Sequence, residues 1–278
     1  MNTAREALDA ATDALRAAGV ESPRLDAELL LAEAMGAGRA SLIALPETLI
    51  DPVATRGYAE FVRRRLRREP LAYITGRKGF RRIELFVDRR VLVPRPETEL
   101  LVELALELQP HRVLDVGTGS GAIAFAIADE LPGTEVVATD IYPDALAVAG
   151  ENAVRLGLGD RVRLAQGSLA AGEFGLVVAN LPYVTEREWR DLAPELRDWE
   201  PRGALTPGPT GLEAIESLLG ELSVSQATSA RAIGLEVGEG QAAIVADLVR
   251  RAGFAEIEAR KDLAGIERVV VGHAEERR

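Results

Sequence analysis

A run of nine residues limits the architecture of this chain more than any other: Val113-Leu114-Asp115-Val116 leads without a break into Gly117-Thr118-Gly119-Ser120-Gly121. The apolar part reads as a strand. The glycines let the backbone turn tightly into a helix starting near Ala122 while a ligand lies against it. Gly117, Gly119 and Ala122 satisfy the G-x-G-x-x-G/A spacing of a dinucleotide-binding turn. A purely structural strand–turn–helix would use only one or two glycines. From Pro96 onward, strand-like segments at 112–116, 135–139, 162–165, 176–179, 232–236, 256–259 and 268–271 alternate with mostly helical stretches. Such alternation predicts an α/β fold, a mainly parallel sheet with helices on both faces. The last two strands are joined by a loop with no room for a helix, so the final strand is expected to run antiparallel.

Residues 1–70 follow a different period. Leu8, Ala11, Leu15 and Ala18 recur at helical spacing, and Gly19 ends that helix. Ser22-Pro23 offers an N-cap and first turn for a second helix through Leu25, Leu29 and Ala32. A third spans about 51–68 and ends in Arg63, Arg64, Arg65, Arg67 and Arg68. That basic run reads either as a solvated last turn suited to the helix dipole or as a docking surface for an acidic or RNA-bound partner. Between 71 and 93 the period becomes two, with Ile83, Leu85 and Val87 alternating with Glu84, Phe86 and Asp88. The expected organisation is therefore helical over 1–70, a β-hairpin linker over 71–95 and the α/β domain over 96–278.

Composition removes several classes of chemistry. With no cysteine there is no disulfide, thiolate nucleophile or Cys-containing zinc site. His111 and His273 are the only histidines and both read as strand-edge residues, so no metal centre is expected. The net charge of -11 makes sequence-independent binding to bare nucleic acid a poor expectation, because phosphate binding depends on Lys and Arg. No signal peptide and no run long enough for a membrane span is visible, which points to the cytoplasm.

The candidate chemistry lies at strand ends. Asp140 ends the strand after the glycine loop, where a carboxylate accepts both ribose hydroxyls of a nucleoside. Asp115, just ahead of the first glycine, favours S-adenosylmethionine over a dinucleotide, since its cationic amine needs an acceptor near that loop. The strand at 176–179 runs into Asn180-Leu181-Pro182-Tyr183. An Asn oxygen and a neighbouring backbone carbonyl together accept both hydrogens of a planar –NH2, orienting a weak nucleophile toward a methyl donor. Tyr183 is placed to stack on the planar amide or base, and Pro182 stiffens the loop.

With these motifs the chain resembles the HemK/PrmC family of release-factor glutamine methyltransferases. Further matches are Arg68-Glu69-Pro70-Leu71-Ala72-Tyr73-Ile74-Thr75-Gly76, Val93-Pro94-Arg95-Pro96-Glu97-Thr98-Glu99, Glu200-Pro201, Ala204-Leu205, Gly208, Gly211-Leu212, Glu236, Gly238, Gln241, Gly253-Phe254 and Asp262-Leu263-Ala264-Gly265. The resemblance implies a Rossmann-like seven-stranded S-adenosylmethionine-dependent methyltransferase domain behind a small helical N-terminal substrate-recognition domain and a hairpin linker. It implies that the substrate is the glutamine of a Gly-Gly-Gln loop on class-1 peptide chain release factors. By position, Asp115, Gly117, Thr118, Gly119, Ser120, Gly121, Asp140 and Asn180 would bind S-adenosylmethionine, Ser168 and Leu169 would flank its adenine, and Asn180, Leu181, Pro182 and Tyr183 would grip the glutamine amide. Leu181 departs from the proline usual in the family; a carbonyl acceptor survives that change. The roles of Arg95, Glu97, Glu236, Gln241, Trp189 and Trp199 stay open at this point.

Rival readings are an adenine amino-methyltransferase acting on RNA or DNA, a glutamine methyltransferase acting on a ribosomal protein, a nicotinamide oxidoreductase and a non-catalytic binding module. The acidic net charge and the 94–99 segment count against the first, the absence of a placed histidine against the oxidoreductase, and the intact Asn180 and glycines against the binding module.

Overall fold

A computed structural model describes residues 3–275; the ends of the two outer predicted segments, 1–2 and 276–278, lie outside the described residues. The chain divides into two compact units: Met1–Gly76 with Ala193–Trp199, and Arg77–Leu192 with Glu200–Arg278.

The first unit holds helices α1 (Ala4–Ala17), α2 (Pro23–Met35), α3 (Arg39–Ala44), α4 (Pro52–Leu66) and α5 (Leu71–Thr75), and later in the chain α10 (Pro194–Arg197). Leu8, Ala11 and Leu15 of α1 are buried as their spacing predicts. Asp51 caps α4 by accepting from the amides of Val53 and Ala54. Ser22 sits at the N-cap of α2 but makes no side-chain cap hydrogen bond. The apolar residues buried on α2 are Ala27, Leu30, Leu31 and Ala32, whereas Leu25 is exposed. The expected face is displaced because α2 also buries Asp26 and Glu28, whose charges are met by arginines: Glu28 by Arg24 and Arg39, Asp26 by Arg65 at 2.7 Å.

The basic run at the end of α4 is thus only partly solvated: Arg63 and Arg67 are exposed, while Arg64, Arg65 and Arg68 are held in ion pairs. Arg65 is buried and also pairs with Glu195 of α10 at 2.9 Å, Arg68 pairs with the same carboxylate at 2.6 Å, and Arg64 pairs with Glu69. Only Arg63, paired with Glu60, stays largely solvated among these paired arginines.

The second unit begins with an antiparallel hairpin, β1 (Arg77–Phe80) and β2 (Ile83–Phe86), which buries Ile83 and Leu85, with Val87 buried just beyond it. The Asn152 amide holds the hairpin by accepting from Phe86 N at 2.7 Å and donating to Phe86 O, and it also donates to Ser120 O in the glycine loop. A short 3-10 turn (Pro96–Thr98) then leads to α6 (Glu99–Leu108), β3 (Arg112–Val116), α7 (Ala122–Glu130), β4 (Glu135–Asp140), α8 (Pro143–Leu156), β5 (Val162–Gln166), β6 (Gly172–Phe174), β7 (Leu176–Ala179) and α9 (Glu186–Asp191). After the excursion to the first unit come α11 (Arg202–Leu205), α12 (Glu213–Val224), β8 (Thr228–Ala230), β9 (Ala232–Glu236), α13 (Ala242–Arg251), β10 (Phe254–Lys261) and β11 (Glu267–Ala274).

Seven strands form one sheet in the order β10-β11-β9-β7-β3-β4-β5. β9, β7, β3, β4 and β5 are mutually parallel, while β11 pairs antiparallel with both neighbours, as the short last connection requires. Every residue of β7 and β9 is buried, the near-continuous apolar run of a strand covered on both faces. A separate two-stranded pairing of β6 with β8 has no counterpart in the sequence reading; at three residues each, these strands carry too short a pattern. The chain leaves β3 toward β4 and β5, then returns to β7 and β9 on the other side. The reversal between β7 and β3 is the switch point at which ligands bind in open α/β sheets.

Replacing Arg65 by alanine leaves Asp26 and Glu195 without their shared buried cation. An equilibrium urea titration is expected to show a loss of about 3–5 kcal/mol.

Candidate active site

The parallel register aligns the strand ends. Val116 pairs with Thr139 on one side and Ala179 on the other, and Ala179 pairs with Leu235. Gly117, Asp140, Asn180 and Glu236 therefore stand along one edge of the sheet, beside a cavity of about 710 Å³, well within the range of small-molecule sites.

Of the residues singled out from the sequence, Gly117, Thr118, Gly119, Ser120, Asp140, Ser168, Asn180, Leu181 and Pro182 line this cavity. Asp115, Gly121, Leu169 and Tyr183 are not on its wall. Leu169 packs against the apolar core instead, because the turn after β5 exposes only Gly167 and Ser168 to the cavity. Missing from the sequence reading were Ile141 and Tyr142, two large exposed side chains directly after the strand-end acid, together with the 89–92 stretch, Leu218 and Glu221. The Ile-Tyr pair could have been found as an apolar step where an α/β turn is normally polar. Glu221 sits on α12 and accepts from the Ser168 hydroxyl, a meeting of distant residues with no local signature.

Gly117 has φ +73°, and a Cβ there would lie 2.9 Å from Leu181 Cδ2. The loop and the Asn180 motif thus pack closely, and a side chain at Gly117 would be strained by its left-handed φ and would push the Leu181 side chain aside. Asp140 accepts from Gly119 N at 3.0 Å and Tyr142 N at 2.9 Å, which fixes its carboxylate at the cavity wall. Its pKa is raised by burial. Asp115 lies wholly buried behind the loop. Its Oδ2 accepts from Thr118 Oγ1 at 2.6 Å, and its Oδ1 has no partner among the described residues. Burial pushes this carboxyl up to about 7. An orphaned carboxylate oxygen behind the glycine loop suits a cationic amine, and a wall-mounted carboxylate one strand over suits a ribose. The residues present fit S-adenosylmethionine on both counts.

Asn180 donates through Nδ2 to Thr98 Oγ1 at 2.9 Å, and Thr98 donates in turn to Glu236 Oε2 at 2.6 Å. Tyr183 donates its hydroxyl to Glu236 Oε1 at 3.3 Å. Gln241 closes the arrangement: its Oε1 accepts from Gly238 N and its Nε2 donates to Tyr183 O at 3.0 Å. Gly211, with φ +76°, passes so close that a Cβ would lie 2.3 Å from Tyr183 O. Tyr183 is thereby held at hydroxyl and carbonyl. Arg95 pairs with buried Glu200 at 2.6 Å, and Glu200 also accepts from Val93 N, which pins the 93–98 segment. Glu97 is half-buried and lies near enough to Glu236 and Arg268 to act on both electrostatically. Trp189 stacks under Arg202 at 4.6 Å, and Trp199 Nε1 donates to Arg67 O in the first unit; neither lines the cavity.

Comparison with known proteins bears on the fold and the family. Residues 113–201 match the methyltransferase domain family and residues 6–76 match the PrmC N-terminal domain family. The solved hMettl16 catalytic domain in complex with MAT2A 3'UTR hairpin 6 superposes with a TM-score of 0.58 at 15% identity, over 80% of this chain and 82% of that one, a likeness of fold. Fold and site together define an S-adenosylmethionine-dependent methyltransferase. The release factor glutamine methyltransferase of Rhodopirellula baltica is 41% identical over 96% of this chain and 95% of its own. That of Moorella thermoacetica is 40% identical over 99% of both. The chain belongs to the release factor glutamine methyltransferase family.

Two outcomes follow from the site's packing and charge. Gly117→Ala forces a Cβ against Leu181 at a left-handed φ, so affinity for S-adenosylhomocysteine measured by calorimetry is expected to fall at least about tenfold. Burial raises the Glu236 carboxyl from 4.5 to about 7, with Glu97 adding to the rise and Thr98, Tyr183 and Arg268 opposing it. Between those values the folded chain holds a proton that the unfolded chain has released. This residue's contribution therefore favours folding at low pH and declines as pH rises through the window, by about 3 kcal/mol in all. Glu236→Gln removes that share, so its thermal midpoint should shift less than the native chain's between pH 5 and pH 8.

Proposed function

We propose that this protein transfers a methyl group from S-adenosylmethionine to the side-chain amide nitrogen of the glutamine in the Gly-Gly-Gln motif of class-1 peptide chain release factors, in the cytoplasm. The observation that carries the reading is the Asn180 amide. Its nitrogen end is taken by Thr98, so its Oδ1 is the end available at the cavity wall, next to the glycine loop.

S-adenosylmethionine supplies a methyl group already activated by its sulfonium, so the protein's task is placement. Asp115, with the loop Gly117–Gly121, receives the amino-acid end. Asp140 holds the ribose, and Ser168 with Glu221 bounds the base. Asn180 Oδ1 accepts one hydrogen of the glutamine –NH2, and the Leu181 carbonyl is the second acceptor, a role in which leucine equals proline. Two acceptors on one planar nitrogen orient it and favour the positive charge that develops there during transfer. Pro182 shapes the cavity wall. Tyr183, turned to Glu236, holds the loop in place and does not stack in the cavity. Leu169 supports the base pocket from behind. The helical unit has the part of recognising the release factor.

The test uses methyl-labelled S-adenosylmethionine with a release factor, the same factor with its Gly-Gly-Gln glutamine changed to alanine, and Asn180→Ala enzyme. Label on the native factor alone, reduced at least about a hundredfold by Asn180→Ala, is the expected result. Label on neither factor with the native enzyme would overturn the reading.

A further inference from the structure

We propose that Thr98 and Glu236 are positioning residues that fix the Asn180 side chain with its oxygen toward the reacting nitrogen; the inference rests on the glutamine-methylation reading above. An Asn amide is nearly symmetric in shape and opposite in polarity at its two ends. A site that needs an acceptor must therefore decide which end faces the substrate.

Thr98 makes that decision. A hydroxyl has one hydrogen, and Thr98 gives it to Glu236 Oε2 at 2.6 Å. Toward Asn180 the same oxygen can then only accept, and it accepts from Nδ2 at 2.9 Å. The Asn180 carbonyl oxygen is left for the –NH2 of the substrate. Were the Thr98 hydrogen free, it would equally well bond a flipped Asn180, and Nδ2 would then face the substrate's own donors. Glu236 is suited to holding this hydrogen in place because it is buried, at 2% exposure, and a carboxyl accepts at Oε2 whether or not Oε1 carries a proton. Its Oε1 meets the Tyr183 hydroxyl, so one carboxyl steadies both ends of the Asn180–Tyr183 motif.

The three partners come from the 3-10 turn, the end of β7 and the end of β9, and no two of them are neighbours in sequence. Neither Thr98 nor Glu236 needs to touch the substrate for this role. Their effect passes through Asn180 and falls on turnover more than on cofactor binding.

The experiment compares native protein, Thr98→Val, Thr98→Ser and Glu236→Leu for kcat and KM with a release factor, affinity for S-adenosylhomocysteine, and urea midpoint. Thr98→Val keeps the shape and removes the hydroxyl; kcat is expected to fall about 10- to 100-fold with cofactor affinity within about twofold of native. Thr98→Ser should restore turnover to within a few-fold. Glu236→Leu frees the Thr98 hydrogen and should lower kcat as Thr98→Val does, which provides the answer should Thr98→Val fail to fold. Native-like kcat in a folded Thr98→Val or Glu236→Leu protein would overturn the inference and leave the methylation reading standing. So would equal losses in cofactor affinity and turnover. No label transfer by the native protein would take both down.

Discussion

Everything at the site depends on the register of the parallel ladders. A parallel strand pair brings equivalent ends together, and here Val116, Thr139, Ala179 and Leu235 lie side by side. The residues one step beyond them, Gly117, Asp140, Asn180 and the buried Glu236, share one edge without further instruction. A slip of one residue in any ladder would send its strand's apolar side chains to the opposite face, so core packing and site geometry are specified by the same pairing.

On that edge the polar groups are arranged so that almost none is left free. Asp140 is tied by two backbone amides, Tyr183 by a side chain at each of two atoms, and Glu200 by Arg95 and Val93 N. Asp115 Oδ1, directly behind the glycine loop, is buried and has no partner among the described residues. An unsatisfied buried oxygen costs on the order of 1–3 kcal/mol, and such a cost is tolerated where a ligand later satisfies it.

The parts of this design written in local pattern were legible in the sequence. The glycine loop, the five parallel strands, the antiparallel end, the α1 face and the alternation of Ile83, Leu85 and Val87 each follow from periods or from glycine placement within a few residues. The positions of Asn180 and Asp140 at the cavity wall were legible because each directly ends or follows a parallel strand. The bond from Thr98 to Glu236 was not, since it joins a turn to a strand 138 residues on and exists only once the ladder register is set. For the same reason the packing of Leu169 against the core cluster was not visible in the sequence. The arginines of α4 were read as a surface feature because their partners, Asp26 and Glu195, flank them at long range and on both sides in sequence.

The helical unit draws Ala193–Trp199 from far along the chain. A ribosome delivers residues in order at ~5–20 per second, so Glu195 emerges on the order of ten seconds after Gly76. During that interval α1 to α5 are present and Arg65 has Asp26, but Arg68 lacks Glu195, the carboxylate it shares with Arg65. The unit's first five helices precede the strands of the glycine loop and the asparagine motif in the chain, yet its last segment, Ala193–Trp199, follows them. A fragment ending at Gly76 encodes its helices without their closing carboxylate, and the smallest inheritable piece that completes them already contains the strands of the glycine loop and the asparagine motif.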